Sequence, residues 1–539
     1  MHRFANEKSR HMSSCLNIPR ATTWEILEQT RNLASIATLA IGLKSNLPEL
    51  RQLSLKTLLA RSENAAKATI VVHWEHYDEQ NIQLICAHAS QFAEVASAKL
   101  AVGSLSEKRS ALAAIAALDL HDSLDGLLDI AVDPAHALGH QATECLMQMC
   151  IHWGAKARLG KDVPSVRSKM LERLYNRLAV FHQHNNSKLI DAWLCLAHWD
   201  DALQRSLISD SRQTVYRPLM TRLQTCELHP VLQLLAGYVA RSTTPKNVIE
   251  IIVQRDLPAL ALEIAKLNDQ RTLAGTLKRL QQLPTLSCLT AIEAEIPKVA
   301  GEIERRLYLM IAASSNDLAP VLRGALRQSK LGTREARQTA AEMLRTCRRP
   351  ELETWVPAIQ AADLETTDNT HTLGSLTRQI VTWLDSPSQV LNRAARDFLR
   401  DFTVENLLSQ VRHWPAQLCK AMAGIVIAVE PNVTERLTRE LQSPAPRRRL
   451  AALQATQLLD CADQVSETLM PLLEDPRLEV RVRIIDLLGA LGHEALEQLI
   501  PQLLADASTD IQDAANRATR RMKRAKQKHS LLSPGEPSA

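Results

Sequence analysis

Three residues spaced by four, His136, His140 and Glu144, carry the most direct suggestion of metal chemistry in this chain. On a helix, positions i, i+4 and i+8 share one face, and two imidazoles with a carboxylate are a usable donor set for a transition metal. The chain has 17 histidines, however, so this spacing arises readily by chance, and no H-E-x-x-H accompanies it. A polar helix stripe is the preferred reading. Other catalytic signatures are missing from the sequence. There is no G-x-G-x-x-G or G-x-x-x-x-G-K phosphate loop and no G-x-S-x-G elbow. Ser and His are plentiful, but their order alone places no nucleophile beside a base. No catalytic residue, cofactor or metal is expected.

The second candidate is a basic run. Arg517, Arg520, Arg521, Lys523, Arg524, Lys526 and Lys528 lie between Ala514 and Ser530 with no carboxylate among them. Such a run can hold the phosphates of RNA, DNA or an anionic lipid surface. It equally suits the solvated end of a terminal repeat, where cations complement a helix C-terminus and a polar outer face is needed. The second reading is preferred, and the absence of aromatics there argues against base stacking. The formal net charge of +5 and the pI of 8.6 therefore report this segment, and the remainder is slightly acidic.

The elements that would position these residues are helices. Apolar residues make up 45% of the 539 residues, aromatics only 3%, and the 16 glycines are few for a turn-dense β architecture. A chain this long exceeds one compact core but suits a stack of repeats. The ten cysteines include no C-x-x-C, which fits small buried apolar residues in a reducing, cytoplasmic setting. No run of 18 uncharged apolar residues predicts a membrane span. The ten-residue run Ala34 to Leu43 reads as a buried helix face rather than a signal segment.

Repetition is clearest in the last third. Leu473-Glu474-Asp475-Pro476-Arg477-Leu478-Glu479-Val480-Arg481-Val482-Arg483-Ile484-Ile485-Asp486-Leu487-Leu488-Gly489 reads as a helix stop, a corner and a second helix ending near a glycine. Similar corners stand at Asp385-Ser386-Pro387, Trp414-Pro415, Gln442-Ser443-Pro444 and Asp506-Ala507. Pro444, Pro476 and Ala507 follow one another at spacings of 32 and 31 residues. At such a corner Asp or Ser can accept from the first free N–H groups. Proline supplies the φ of the first helical turn and turns the residue before it out of the α region. Arg393, Arg449 and Arg481 occupy similar places after their corners. Earlier second helices open at Leu47-Pro48 and Ser104-Leu105, with a further corner at Asp133-Pro134. A first helix is expected near Trp24 and an exposed loop over Asp363 to Thr372.

Asp475-Pro476, Val480-Arg481, Ile484-Ile485, Leu487-Leu488 and Gly489, with Pro387, Arg393, Pro444 and Arg449 in matching places, resemble the second-helix signature of the HEAT-repeat family. That family includes the HEAT-like units named after phycobilisome lyases. The resemblance is strongest over about 375–525, moderate over 40–150 and weak over 155–370. It implies an all-α solenoid of stacked antiparallel helix pairs whose concave face holds a protein or nucleic-acid partner. It also implies that the repeat arginines pair with an acidic residue of the next unit, with Asp475, Glu479, Asp486 and Asp506 at hand. The expected organisation is a loose tail (1–20), early repeats (21–150), divergent helical repeats (151–370), sharper repeats (371–525) and a basic disordered end (526–539). An all-helical insert over 155–250 is the alternative to continuous repeats.

The same resemblance raises two enzymatic alternatives. HEAT-like di-iron hydroxylases carry His-Glu pairs on several repeats, but only His493-Glu494 matches here and Glu75-His76 is reversed. HEAT-like DNA glycosylases set aromatics and a carboxylate in a basic groove. Trp383 with Asp385, or Trp193 and Trp199 with Asp200, are the residues available for that role. A Trp beside such a corner is more often a core anchor, and the body is acidic. No chromophore-handling residues of a phycobilin lyase are identifiable. The expected function is a non-catalytic scaffold that binds a protein partner. Nucleic-acid association through the basic end is the alternative.

Overall fold

The computed structural model describes residues 20–158, 164–268, 270–299, 301–349, 372–411 and 413–532. Among these the regular structure is α-helix with short 3-10 turns and no strand, so the all-α expectation holds. The chain divides into two units, 1–269 and 270–539. In each, helices contact neighbours that are close in sequence, which is how a helical-repeat stack is built.

In the first unit two rows of helices run side by side. One row is Leu105–Leu118, Gly139–Arg158, Ser187–Leu196, His229–Val239 and Pro258–Leu267, each touching the next. The other contains Leu124–Val132, Pro164–Ala179, Ala202–Ser209, Tyr216–Thr225 and Lys246–Gln254. Short connections join the rows into helix pairs. Each start has a local cause. Ser104 and Glu107 form a reciprocal capping box on Leu105–Leu118. Pro48 and Pro258 stand at the first helical turn, where the missing N–H costs nothing. The helix expected near Trp24 begins at Arg20. The run Ala34–Leu43 is one helix that buries Ile36, Leu39 and Leu43.

The second unit repeats the plan. Glu302–Ser314 lies against Gln270–Leu280 and Arg334–Thr346, and Leu318–Lys330 against Leu373–Val381. Towards the C-terminus the pairs are regular. Their second helices are Gln389–Phe398, Ala416–Val429, Pro446–Leu458, Leu478–Leu491 and Thr509–Leu532, each preceded by one of the five corners. The last three stack in order. Val480, Ile484, Ile485 and Leu488 close a core with Ile511, Ala514, Ala518 and Met522. Gly489 lies inside its helix, and a Cβ there would stand 2.4 Å from Ala518 Cβ, so the two helices touch backbone to side chain. Gly492, at φ 70°, is the residue that ends the helix.

The corners differ in detail from the sequence reading. Helix Leu478–Leu491 begins two residues after Pro476, and Pro387 and Pro444 also precede their helices. The proline that does enter the first turn is Pro446. Asp475 accepts from Arg477 N at 2.8 Å, which closes a turn rather than capping the helix interior. At the end of the chain the helix continues to Leu532, past the boundary expected at 525. Of the loop expected over 363–372, residues 363–371 lie outside the described residues, as do 533–539, while Thr372 caps helix Leu373–Val381.

Buried and half-buried arginines tie successive pairs together. Arg61 follows helix Pro48–Ala60 and has a fully buried side chain. It donates to Leu27 O at 2.6 Å and to Ser35 Oγ at 2.9 Å. Arg255 follows Lys246–Gln254 and donates to Leu223 O and Cys226 O. Arg348 follows Arg334–Thr346 and reaches Leu280 O, Leu283 O and, at 3.2 Å, Ala313 O. Arg449 takes two carbonyls of its own corner, Ser443 O at 2.8 Å and Pro444 O at 3.0 Å. It also donates to Asp475 Oδ1 at 3.0 Å, while its Nε lies 2.7 Å from Oδ2 without hydrogen-bond alignment. Arg393 is exposed, and Arg481 forms no comparable ion pair with Asp506.

Removing either half of the Arg449–Asp475 pair strands a charge whose side chain is at most 9% exposed. Arg449→Ala and Asp475→Ala should each cost about 3–5 kcal/mol, and a Met/Leu replacement of both clearly less. Urea melts of the full chain, with hydrogen exchange read on residues 446–491, measure this. Gly489→Val should cost about 1–3 kcal/mol by forcing Ala518 away.

Candidate interaction surface

The sequence's metal candidate is dispersed by the fold. His136 sits in the turn after Leu124–Val132, three residues before helix Gly139–Arg158, so it does not share a helical face with His140 and Glu144. Its Nδ1 accepts from Leu138 N at 3.1 Å. His140 and Glu144 are exposed, and Lys188 Nζ stands 3.2 Å from His140 Nε2. Among the described residues no three His, Cys, Asp or Glu side chains are grouped to hold a metal ion. His493 precedes helix Glu494–Leu504, and Glu494 is exposed.

The aromatic and acidic candidates fare differently from one another. Trp383 is buried while Asp385 is exposed. Trp193 is fully buried, and its indole N–H donates to Gln204 Oε1 at 2.6 Å. Trp199 packs against His198 and Gly237, where a Cβ would meet the indole ring at 2.1 Å. Trp193 and Trp383 support the core, while Trp199 is half-buried and His198, stacked on it, hydrogen-bonds the exposed Asp200. Among the described residues the cysteines behave as small apolar residues: eight are buried, and Cys86 is exposed. Burial pushes the thiols of Cys145, Cys195 and Cys347 up to about 12.

What the fold does assemble is an open face along the last second helices. Pro446–Leu458 presents Arg447, Leu450 and Gln454, spaced by three and four residues, hence one stripe. Leu478–Leu491 presents Glu479, Val482, Arg483 and Asp486 in the same phase. A shallow recess of about 480 Å³ runs between the two stripes. Asp486 then meets the last helix. It accepts from Arg517 Nε and Nη2 at 3.1 and 2.8 Å, and Arg521 donates to its carbonyl at 3.2 Å. This carboxylate also raises the Arg517 pKa. Two of the seven cations in the basic run are thus held by a neighbouring repeat. Arg520 and Lys523 are exposed and form no ion pair among the described residues. The helix backbone carries Arg524, Lys526 and Lys528, whose side chains lie outside the described set.

A second surface was not foreseen from the sequence. An open groove of about 980 Å³ lies between helix Leu318–Lys330 and the segment 290–297, with Leu376 and Gln379 at its edge. Its floor is Tyr308, pressed so closely on Gly324 that a Cβ there would come within 2.8 Å of the ring. The clue in the sequence was Arg323, Arg327 and Lys330 at helical spacing, opposite Ala291, Ala294 and Pro297.

No family model matches the chain, and no curated protein matches it. Two solved structures are similar over most of their length. One comes from work on a conserved phosphorylation switch that controls the interaction between cadherin and beta-catenin. It has 14% identity, covers 90% of this chain and 99% of that one, and has a TM-score of 0.36. The other is an engineered protein with 12% identity, coverage of 90% and 98%, and a TM-score of 0.20. Similarity at that level carries nothing about partner or activity.

Thiol reactivity checks the burial pattern directly. Peptide mapping after brief alkylation of the native protein should find Cys86 modified well before Cys145, Cys195 or Cys347, because the thiolate is the reactive form and burial disfavours it. Equal labelling of all four would contradict the packing described above.

Proposed function

We propose that this protein is a HEAT-type, non-catalytic scaffold that binds a protein partner on the face of its second helices. The observation that carries this reading is the aligned stripe of Arg447, Leu450, Gln454, Glu479, Val482, Arg483 and Asp486. It mixes both charge signs with partly buried apolar side chains, which is the composition of a protein-binding surface rather than of a phosphate track. Binding energy on such a face would concentrate in a few desolvated anchors, with Leu450, Val482 and Arg483 the residues placed for it.

A second reading is nucleic-acid association through the last helix. It is favoured by Arg520 and Lys523, which stay exposed after Arg517 and Arg521 have turned to Asp486.

Both readings are testable on the full chain. Affinity capture with cross-linking should yield a saturable protein partner that is lost from a Val482→Asp/Arg483→Glu variant of unchanged melting temperature. A turnover activity, or capture that ignores this substitution, would overturn the scaffold reading. For nucleic acid, a labelled duplex should be titrated at several salt concentrations against Arg520→Glu/Lys523→Glu. An unchanged affinity and a flat salt slope would remove that alternative. Point substitutions serve better than truncation here, because Ala518 and Met522 of the same helix belong to the core.

A further inference from the structure

We propose that the groove between helix Leu318–Lys330 and the segment 290–297 is a docking site for an acidic amphipathic helix of a partner protein. The proposal rests on the scaffold reading but concerns a different surface.

One wall is a cationic rail. Arg323, Arg327 and Lys330 follow one another by four and three residues on the same helix, so they rise along one edge at steps of roughly 6 and 4.5 Å. Arg323 is spoken for, donating to both carboxylate oxygens of Glu293 at 3.0 and 3.2 Å. Arg327 and Lys330 are exposed and form no ion pair among the described residues. The groove lining therefore holds three cations against one carboxylate. Glu304, on helix Glu302–Ser314 and outside that lining, accepts from Gln328 Nε2 at 3.0 Å.

The opposite wall is small and apolar, formed by Ala291, Ala294 and Pro297, and Leu376 continues it. Leu331 closes the rail end and, 55% exposed, adds apolar surface there. The occupant must therefore present apolar side chains towards the alanine wall and carboxylates towards the rail. A helix with Leu or Phe at i, i+3, i+4 and i+7 and Asp or Glu beside them has that shape, and helix-in-groove recognition is an established way to fill such a cleft. A nucleic acid fits less well. The lining offers a single aromatic, Tyr308, which is 4% exposed and packed against Gly324, so its ring is not open to a stacking base.

The test is a displayed library of random helical peptides selected against the full-length protein. Acidic amphipathic peptides should be enriched. Their affinity, read by fluorescence anisotropy, should fall at least about tenfold for Arg327→Glu/Lys330→Glu. It should fall similarly for Ala294→Trp, which fills the groove from an exposed position. Val482→Asp/Arg483→Glu should leave this binding unchanged. The idea fails if selection enriches basic or neutral peptides or none at all. It also fails if the enriched peptides bind the charge-reversed protein equally, or if an oligothymidylate competes for the site. A partner captured through the second-helix face of 446–491 would survive every one of those failures, so the two proposals fall separately.

Discussion

A helix ends in carbonyl groups that have no partner within it. In a stack of helix pairs many of those ends are buried, and a buried, unpaired carbonyl is expensive. This chain meets the constraint with arginine. Arg61, Arg255 and Arg348 each leave the end of one helix and donate to the last carbonyls of another, about one repeat earlier for the first two. Arg158, at the end of its helix, and Arg167, in the first turn of the next, donate to Cys195 O and Leu196 O at the end of Ser187–Leu196. A guanidinium suits the task because its five donors lie in a rigid fork and it stays charged. The carbonyl ends of helices favour a cation, and Glu63, Asp201 or Asp475 completes the neutralisation where a carboxylate is near. Apolar stripes alone tolerate sliding. These directional bonds do not, so they set the register between successive pairs.

The legible part of the fold was the part written locally. Corners with Pro or Asp, leucine periodicity and the 31 to 32 residue spacing located the second helices at Pro446, Leu478 and Thr509. Helix Ala34–Leu43 could be read from its apolar run alone. Contacts between repeats leave no such local trace. Arg393, Arg449 and Arg481 look equivalent in sequence, yet Arg449 alone is buried against the next unit's Asp475. Arg61, Arg255 and Arg348 carry no local signature beyond following a helix, because their acceptors are carbonyls, which any residue can supply. His136 was misplaced for a related reason. Asp133 Oδ1 accepts from Ala135 N and draws the chain into a turn, delaying the helix to Gly139.

Seven cations within twelve residues admit two sequence readings, a phosphate-binding tail and a solvated helix end, of which the second was preferred. In the fold, Asp486 lies a full repeat away in sequence yet takes Arg517 in a two-point contact and draws in Arg521. The pair is partly exposed, so its contribution to stability is small, about 0–1 kcal/mol. Its effect on the surface is larger. It turns a cationic edge into a mixed one and leaves Arg520 and Lys523 as the described side chains of the run that face solvent without an acid.

The two surfaces arise from opposite properties of the stack. Regular repeats lay second helices of similar length side by side, and the outcome over Pro446–Leu458 and Leu478–Leu491 is a shallow, continuous face. The deeper groove appears where regularity lapses. Between Gln270–Leu280 and Glu302–Ser314 the helices among the described residues are Ser287–Ala291 and the 3-10 turn Ile296–Lys298, too short to cover the flank of Leu318–Lys330. The alanines and proline of that segment leave space that a full-length helix would occupy, and the neighbouring helix supplies cations along the opening. A missing stretch of helix in a stack is therefore a natural receptor for a helix from elsewhere. The same departure from the repeat that hid this segment from pattern reading is what makes room for a partner.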